Sequence, residues 1–147
     1  MNVCSSQICP FLVQPLRQLK QFNNSGLMTG KQETGQAGEN LAQTYLLKQG
    51  YQILETNWRF GHLEVDIIAL DGQTIVFVEV KTRVSSAFGQ PSQAVNLQKQ
   101  RNIIRAANSY VTRHNYPYEV RFDIISIVKN NAGDALEHLK DAYTPKW

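Results

Sequence analysis

The spacing of apolar positions changes along the chain, and each change predicts a new element. Between about residues 35 and 50, apolar residues recur at helical intervals, which predicts an amphipathic helix that ends at Gly50. Three stretches rich in β-branched and aromatic residues then fill residues 51–82, and the hairpin pair Asp71-Gly72 separates the second from the third. The stretches span residues 51–60, 63–70 and 73–82. The pattern predicts a helix followed by an antiparallel meander.

A second helical pattern follows the meander. It runs from Pro91 to about His114, and its apolar stripe consists of Ile103, Ile104, Ala107, Tyr110 and Val111. Residues 120–128 predict a fourth strand, and the remainder predicts an edge strand or a tail. The order is therefore αβββαβ, and the second helix allows a crossover back onto the sheet. We expect an α/β fold with a mixed β-sheet flanked by helices.

Composition divides the chain into two parts. Residues 1–30 are rich in Gln, Asn and Ser and carry only Arg17 and Lys20 as charges, which predicts a poorly structured N-terminal extension before a domain over residues 31–147. Overall, 42% of the residues are hydrophobic and 18% are charged, which excludes disordered and coiled-coil proteins. Apolar runs are far shorter than the roughly 18 residues of a membrane span, and the N-terminus lacks the features of a secretory signal. We expect a cytoplasmic protein with no membrane partner.

Charge is distributed unevenly although the net charge is only +3. Residues 80–118 contain six basic residues and no Asp or Glu, whereas residues 39–79 contain six of the twelve acids. An acidic cluster beside a basic segment suits a metal-dependent enzyme that acts on a polyanion. A solvated helix with a basic face explains the basic segment equally simply.

The acidic residues of the hairpin fall close together. Alternation places Glu79 and Lys81 on one face of the third strand. With Asp71-Gly72 as a two-residue turn, Asp66 lies opposite Phe77 and Glu64 lies opposite Glu79. Clustered carboxylates in an otherwise apolar strand pair favour a divalent cation, which predicts a Mg²⁺ site at Asp66 and Glu79. The alternative is a structural Glu79–Lys81 pair with Asp66 in solvent.

Two residues of the helices belong to the same question. Glu39 borders the apolar stripe of the first helix, so it could reach a cleft beside the sheet, or it could serve only as a first-turn acid favoured by the helix dipole. Lys99 lies one turn before Ile103 on the buried stripe of the second helix. It points either along the sheet or, as a snorkelling lysine, to water.

These residues together resemble a known family. The sequence is similar to the YraN-type uncharacterised bacterial proteins, within the restriction-endonuclease-like PD-(D/E)xK nuclease superfamily, and more distantly to archaeal Holliday junction resolvases. The similar segments are Gly35-Gln36-Ala37-Gly38-Glu39, Asn57-Trp58-Arg59, Leu63-Glu64-Val65-Asp66-Ile67-Ile68-Ala69, Phe77-Val78-Glu79-Val80-Lys81-Thr82-Arg83, Phe88-Gly89, Lys99-Gln100 and Arg121-Phe122-Asp123.

The resemblance implies roles for the candidate residues. Asp66 and Glu79 are expected to bind Mg²⁺, with Mn²⁺ as the other candidate ion, together with the Val80 carbonyl. Lys81 is expected to orient the attacking water and to stabilise charge on the phosphate, and Glu39 to hold a metal-bound water. Glu64 is a further accessory acid. The residues expected to contact phosphates are Arg83, Lys99, Arg101 and Arg105.

The leading hypothesis is a Mg²⁺-dependent endonuclease that hydrolyses phosphodiester bonds in DNA, with branched or otherwise structured DNA as a candidate substrate. The resolvase-like relatives imply a homodimer. One alternative is a nucleic-acid-binding module that keeps the nuclease fold and performs no chemistry. Another is an interaction protein in which the acids serve only structure.

Overall fold

Two helices and five strands make up the part of the chain that the structure describes. The structure is a computed structural model, and it describes residues 30–84, 96–117, 119–130 and 133–145. The elements are α1 (Gly30–Lys48), β1 (Gln52–Phe60), β2 (Leu63–Asp71), β3 (Thr74–Val84), α2 (Leu97–His114), β4 (Glu119–Lys129) and β5 (Ala135–Leu139). None of the described helices is long and apolar enough to cross a membrane.

The five strands form one mixed sheet in the order β1-β2-β3-β4-β5. Neighbouring strands are antiparallel except β3 and β4, which are parallel and are joined through α2. Parallel neighbours need such a crossover, because a tight turn can only reverse the chain. The predicted α/β fold with a mixed, helix-flanked sheet and the order αβββαβ is confirmed. The segment predicted as an edge strand or a tail includes the edge strand β5.

The sheet separates two apolar clusters, one under each helix. Side chains of α1 pack on one face against Val76 and Val78 of β3. Side chains of α2 pack on the other face against Ile75 and Phe77. Because β3 is covered on both faces, its sequence reads as a continuous apolar run and any charged residue in it needs a partner.

The register of the hairpin between β2 and β3 differs from the predicted register by two residues. The turn consists of Gly72 and Gln73, and Asp71 pairs with Thr74. Gly72 has φ +62°, which suits the first central position of a type II′ turn. The prediction that Asp66 lies opposite Phe77 is therefore wrong, since Phe77 pairs with Ile68. A shift of two residues keeps every side chain on its predicted face.

The helix boundaries also differ from the prediction. α1 begins at Gly30 rather than near residue 35. α2 begins at Leu97 because the side chain of Asn96 caps it, accepting the Lys99 N–H at 2.8 Å. The predicted start at Pro91 lies outside the described residues, as do residues 1–29 of the predicted N-terminal extension.

Candidate metal centre

Asp66 bridges β2 and β3 where their pairing ends. The described ladder between these strands stops at the pair Ile67–Val78, whereas β2 stays paired with β1 as far as Leu63. Beyond that point Oδ2 of Asp66 accepts the backbone N–H of Val80 at 2.8 Å. A side-chain carboxylate thus takes the place of a backbone acceptor, which fixes Asp66 beside the peptide that follows Glu79.

Glu79 lies on the face of β3 that α2 covers, and its side chain is only 8% exposed. Nζ of Lys99, in the first turn of α2, lies 3.1 Å from Oε2 of Glu79. The Lys99 ammonium is thus the partner of Oε2, for which no other donor lies in the described part of the chain. A buried carboxylate oxygen is costly unless it is paired, and it is the kind of atom that a cation would satisfy.

The pKa values of both carboxyl groups are raised, chiefly by burial. Burial, together with the charge of Asp66, raises the pKa of Glu79 to about 7 against the opposing effect of Lys99. Burial also raises the pKa of Asp66, against the lowering effect of the Val80 N–H. Burial lowers the pKa of Lys99, but the charges of Glu79 and Asp66 outweigh it, so the pKa of Lys99 is raised overall. The centre therefore favours additional positive charge.

Glu39 joins this group from α1. Nδ2 of Asn57 donates to Oε2 of Glu39 at 3.0 Å. Burial raises the pKa of Glu39 against the lowering effect of this hydrogen bond, and the charges of Asp66 and Glu64 raise it further. Glu39 therefore lies within electrostatic reach of Asp66.

The other predicted residues take different positions. Lys81 is exposed, and its charge lowers the pKa of Glu79. The prediction that Glu64 lies opposite Glu79 is wrong. Glu64 pairs across the sheet with Arg59 of β1, whose Nη2 lies 2.9 Å from Oε1 of Glu64. The register shift of the hairpin and the early end of the β2–β3 ladder explain this difference.

The four predicted phosphate ligands separate into two groups. Lys99 points inward to Glu79. Arg101 and Arg105 are exposed on α2, and Arg83 is half-buried near the end of β3. Within the described ranges no three His, Cys, Asp or Glu side chains converge as a metal site. The protein thus offers two carboxylates, a number typical of Mg²⁺ sites that also use waters and substrate phosphates.

Comparison with known proteins places this arrangement in a family. The profile described as uncharacterised protein family UPF0102 matches residues 38–127, which include both carboxylates, Glu39, Lys81 and Lys99. The chain belongs to this family. The family resemblance predicted from the sequence motifs is thereby confirmed.

Individual UPF0102 proteins are similar over most of their length. The protein of Chlorobium chlorochromatii is 50% identical over 117 residues, which cover 76% of this chain and 91% of that protein. The protein of Bacteroides thetaiotaomicron is 43% identical over 118 residues, covering 80% and 98%. Among solved structures, Pyrococcus furiosus SfsA in complex with Ca²⁺ is 15% identical with a TM-score of 0.35, covering 75% of this chain and 63% of that one. A likeness this low carries no argument about the site.

Two residues near the centre of this UPF0102 member were not predicted from the sequence. Asn57 has φ +51° within β1, a left-handed conformation that Asn tolerates better than most residues, and this conformation accompanies the hydrogen bond to Glu39. The hydroxyl of Tyr143 is buried with no hydrogen-bond partner among the described residues. Burial raises its pKa, and the charges of Glu79, Asp123 and Asp66 add to this effect. The segment Asn57-Trp58-Arg59 belongs to the family resemblance but carried no assigned role for Asn57, and no sequence signal pointed to Tyr143.

Gly38 lies where α1 approaches β3 closely, next to Glu39 in the chain and against Thr82, the residue after Lys81. A Cβ atom at Gly38 would collide with the hydroxyl of Thr82. We therefore expect Gly38→Ala to lower the free energy of unfolding by roughly 1–3 kcal/mol, the usual cost of overpacking. Urea denaturation measures the effect. Thr82→Ala in the same chain should restore most of the loss, whereas equal stability of Gly38→Ala and the natural protein would contradict the close approach.

Proposed function

We propose that the protein is a Mg²⁺-dependent endonuclease with a restriction-endonuclease-like core, which hydrolyses phosphodiester bonds in branched or otherwise structured DNA. One observation carries the proposal. The fold brings Asp66 and Glu79 together beside the end of the β2–β3 ladder, and it buries an oxygen of Glu79 whose partner in the described part of the chain is the Lys99 ammonium. Such an arrangement is poorly explained by stability alone, because two neighbouring buried carboxylates repel each other.

The residues fit a hard divalent cation. Asp66, Glu79 and the Val80 carbonyl would hold Mg²⁺, or Mn²⁺, through oxygen atoms, the donors that these ions prefer. The raised pKa values of the two buried carboxyl groups support the same assignment. When bound, such an ion polarises a phosphoryl oxygen and lowers the pKa of a coordinated water.

The surrounding side chains supply the remaining functions. The exposed ammonium of Lys81 is close enough to act on Glu79, so it can orient the attacking water and stabilise charge on the phosphate. Glu39, oriented by Asn57, can hold a water on the α1 side of the centre. Lys99 neutralises Glu79 when no cation is present, which limits the cost of the buried charge.

Charge favours DNA as the substrate. α2 contains no Asp or Glu and exposes Arg101 and Arg105, and Arg83 lies on the strand that carries the centre. These residues suit contacts with phosphates. The proposal includes action in the cytoplasm, where bacterial DNA lies, and a homodimer as the working assembly.

A nucleic-acid-binding module without catalysis is the second candidate. The ion pair between Lys99 and Glu79 favours it, because this pair compensates one of the two carboxylates without any metal. In that case the acids would stabilise the fold, and the basic residues of α2 would carry the function.

A cleavage assay tests the proposal. Purified protein is incubated with labelled duplex, flap and four-way-junction DNA in Mg²⁺, in Mn²⁺ and in EDTA. We expect cleavage that requires the divalent ion and is faster on flap or junction DNA than on duplex. Absence of cleavage on every substrate, with binding that weakens steeply with salt, would overturn the nuclease and support the binding module.

A further inference from the structure

A groove lies at the opposite end of α2 from the candidate metal centre. Its volume is about 480 Å³, and it is formed by Phe60 at the end of β1 and by four residues in the last turns of α2, namely Asn108, Ser109, Thr112 and Arg113. Small ligands typically occupy pockets of roughly 300–1,000 Å³. Nothing in the chemistry proposed for Asp66 and Glu79 uses these residues.

One wall of the groove is the exposed ring of Phe60, which stacks against other aromatic side chains. Phe60 is 43% exposed, although it is a large apolar residue. Its ring lies nearly parallel to that of Trp58, with centroids 6.2 Å apart, and Trp58 packs edge-on against the buried ring of Tyr110 at 5.3 Å. Since the stack holds the ring in place, a ligand that covers Phe60 would order few additional side-chain rotamers.

Positive charge lines the same groove. The guanidinium carbon of Arg113 lies 5.5 Å from the centroid of the Phe60 ring. A planar cation over an exposed aromatic ring forms a surface against which a flat, electron-rich ligand can stack. Every nucleobase presents such a face, and the phosphate attached to it matches the charge of Arg113.

An exposed stripe on the outer side of α2 runs from the groove towards the first turn of the helix. Arg101, Arg105, Asn108 and Thr112 follow one another at intervals of four, three and four residues, so they share one side of the helix, and all four are exposed. The 14 residues from Lys99 to Arg113 correspond to about 21 Å along a helix. That distance equals roughly six nucleotide steps of a duplex strand.

We propose that this groove binds one unpaired nucleobase of the nucleic acid, stacked against Arg113 and Phe60, while phosphates follow the stripe along the outer side of α2. The inference rests on the proposed function and narrows its substrate to DNA in which a single-stranded segment adjoins a duplex. The charge of α2 favours a nucleic acid over a protein partner. The helix exposes arginines, which attract phosphates, and it contains no acid that would complement a basic or mixed protein surface.

Binding in EDTA tests the groove without requiring catalysis. Fluorescence anisotropy compares a blunt duplex with the same duplex carrying a single-stranded tail. We expect the natural protein to prefer tailed DNA by about tenfold, as stacking of one base allows, and Phe60→Leu to lose that preference. Phe60→Trp should retain it. Leu47→Ala is the matched control, since Leu47 is also an exposed large apolar residue, 57% exposed, and lies on α1.

Trp58 provides a second readout. With Trp147 replaced by Phe, tryptophan fluorescence reports on Trp58, and tailed DNA should quench it more than blunt DNA does. Equal affinity for both DNAs, equal weakening of both by Phe60→Leu, or a preference that survives in Phe60→Leu would each overturn the groove proposal. These results leave metal-dependent cleavage untouched. Conversely, a Phe60-dependent preference for tailed DNA without any cleavage would support the groove and reject the nuclease.

Discussion

Replacing Asp66 by Asn together with Glu79 by Gln should lower the metal-dependent cleavage rate by about a thousandfold or more. A bound cation supplies several kcal/mol of stabilisation to the charge that develops on a phosphate, and each 1.36 kcal/mol corresponds to about a factor of ten in rate. The amides keep the volume of the side chains but remove both negative charges. Single-turnover cleavage of labelled DNA in Mg²⁺ measures the loss.

The same variant should lose its response to metal. Mg²⁺ that binds only the folded state stabilises it by about 2.7 kcal/mol at a concentration of 100 times Kd. The Tm of the natural protein should therefore rise with Mg²⁺, and that of the variant should not. Asp134→Asn is a suitable control, because Asp134 forms a half-exposed ion pair with Lys129, and it should retain both the rate and the Tm shift. Unchanged cleavage in the double variant would reject Asp66 and Glu79 as the catalytic centre.

Loss of activity in this variant should not come from unfolding. Burial and the charge of Asp66 raise the pKa of Glu79 to about 7, above the 4.5 of an unperturbed Glu. Between these values the unfolded state loses a proton that the folded state keeps, so ionisation of Glu79 makes the metal-free protein less stable as pH rises from about 4.5 to 7. Gln at this position removes that penalty. Metal-free stability at pH 8 should thus be maintained in the variant.

The sequence places Glu79 on the correct face of β3 even though the predicted register of the hairpin is wrong by two residues. Strand side chains alternate with period two, so Glu79 falls on the α2 face whichever even register the hairpin takes. The turn was misplaced, because Asp71-Gly72 fits a turn as well as Gly72-Gln73 does until the backbone angle of Gly72 is known. The predicted strand faces are correct despite this error, whereas the cross-strand partner predicted for Glu64 is wrong.

Contacts between segments that are distant in the chain could not be predicted from local sequence patterns. Periodicity on α2 placed Lys99 on the side of Ile103, but only the packing of α2 on β3 brings it to Glu79. Asn57 reaches Glu39 through a left-handed residue inside a strand, which alternation cannot reveal. Tyr143 comes from the segment after the last strand, where no periodic pattern exists. Each of these residues depends on tertiary packing rather than on local preference.

Asp123→Ala should have the largest effect on stability, lowering the free energy of unfolding by about 3–5 kcal/mol. The carboxylate of Asp123 is fully buried. It accepts Nε of Arg121 at 2.9 Å, the backbone N–H of Asp141 at 3.0 Å, and a contact from Nε2 of His138 at 2.9 Å. Alanine leaves these donors without their acceptor in a buried site, where an unpaired polar group costs most.

The pH dependence of stability identifies the carboxylate as the source of the effect. Burial raises the pKa of Asp123, but the hydrogen bonds from His138 and Arg121 outweigh it and hold the pKa below the usual 3.8. Its stabilisation is therefore complete well above pH 3.8 and disappears as pH falls through the lowered pKa. Urea denaturation at pH 7 should separate Asp123→Ala from the natural protein, and the gap should narrow at acidic pH. Asp134→Ala, which removes a half-exposed Asp, should stay within about 0.5 kcal/mol. A gap that is constant with pH would assign the loss to packing, and the charged network around Arg121 would then contribute little.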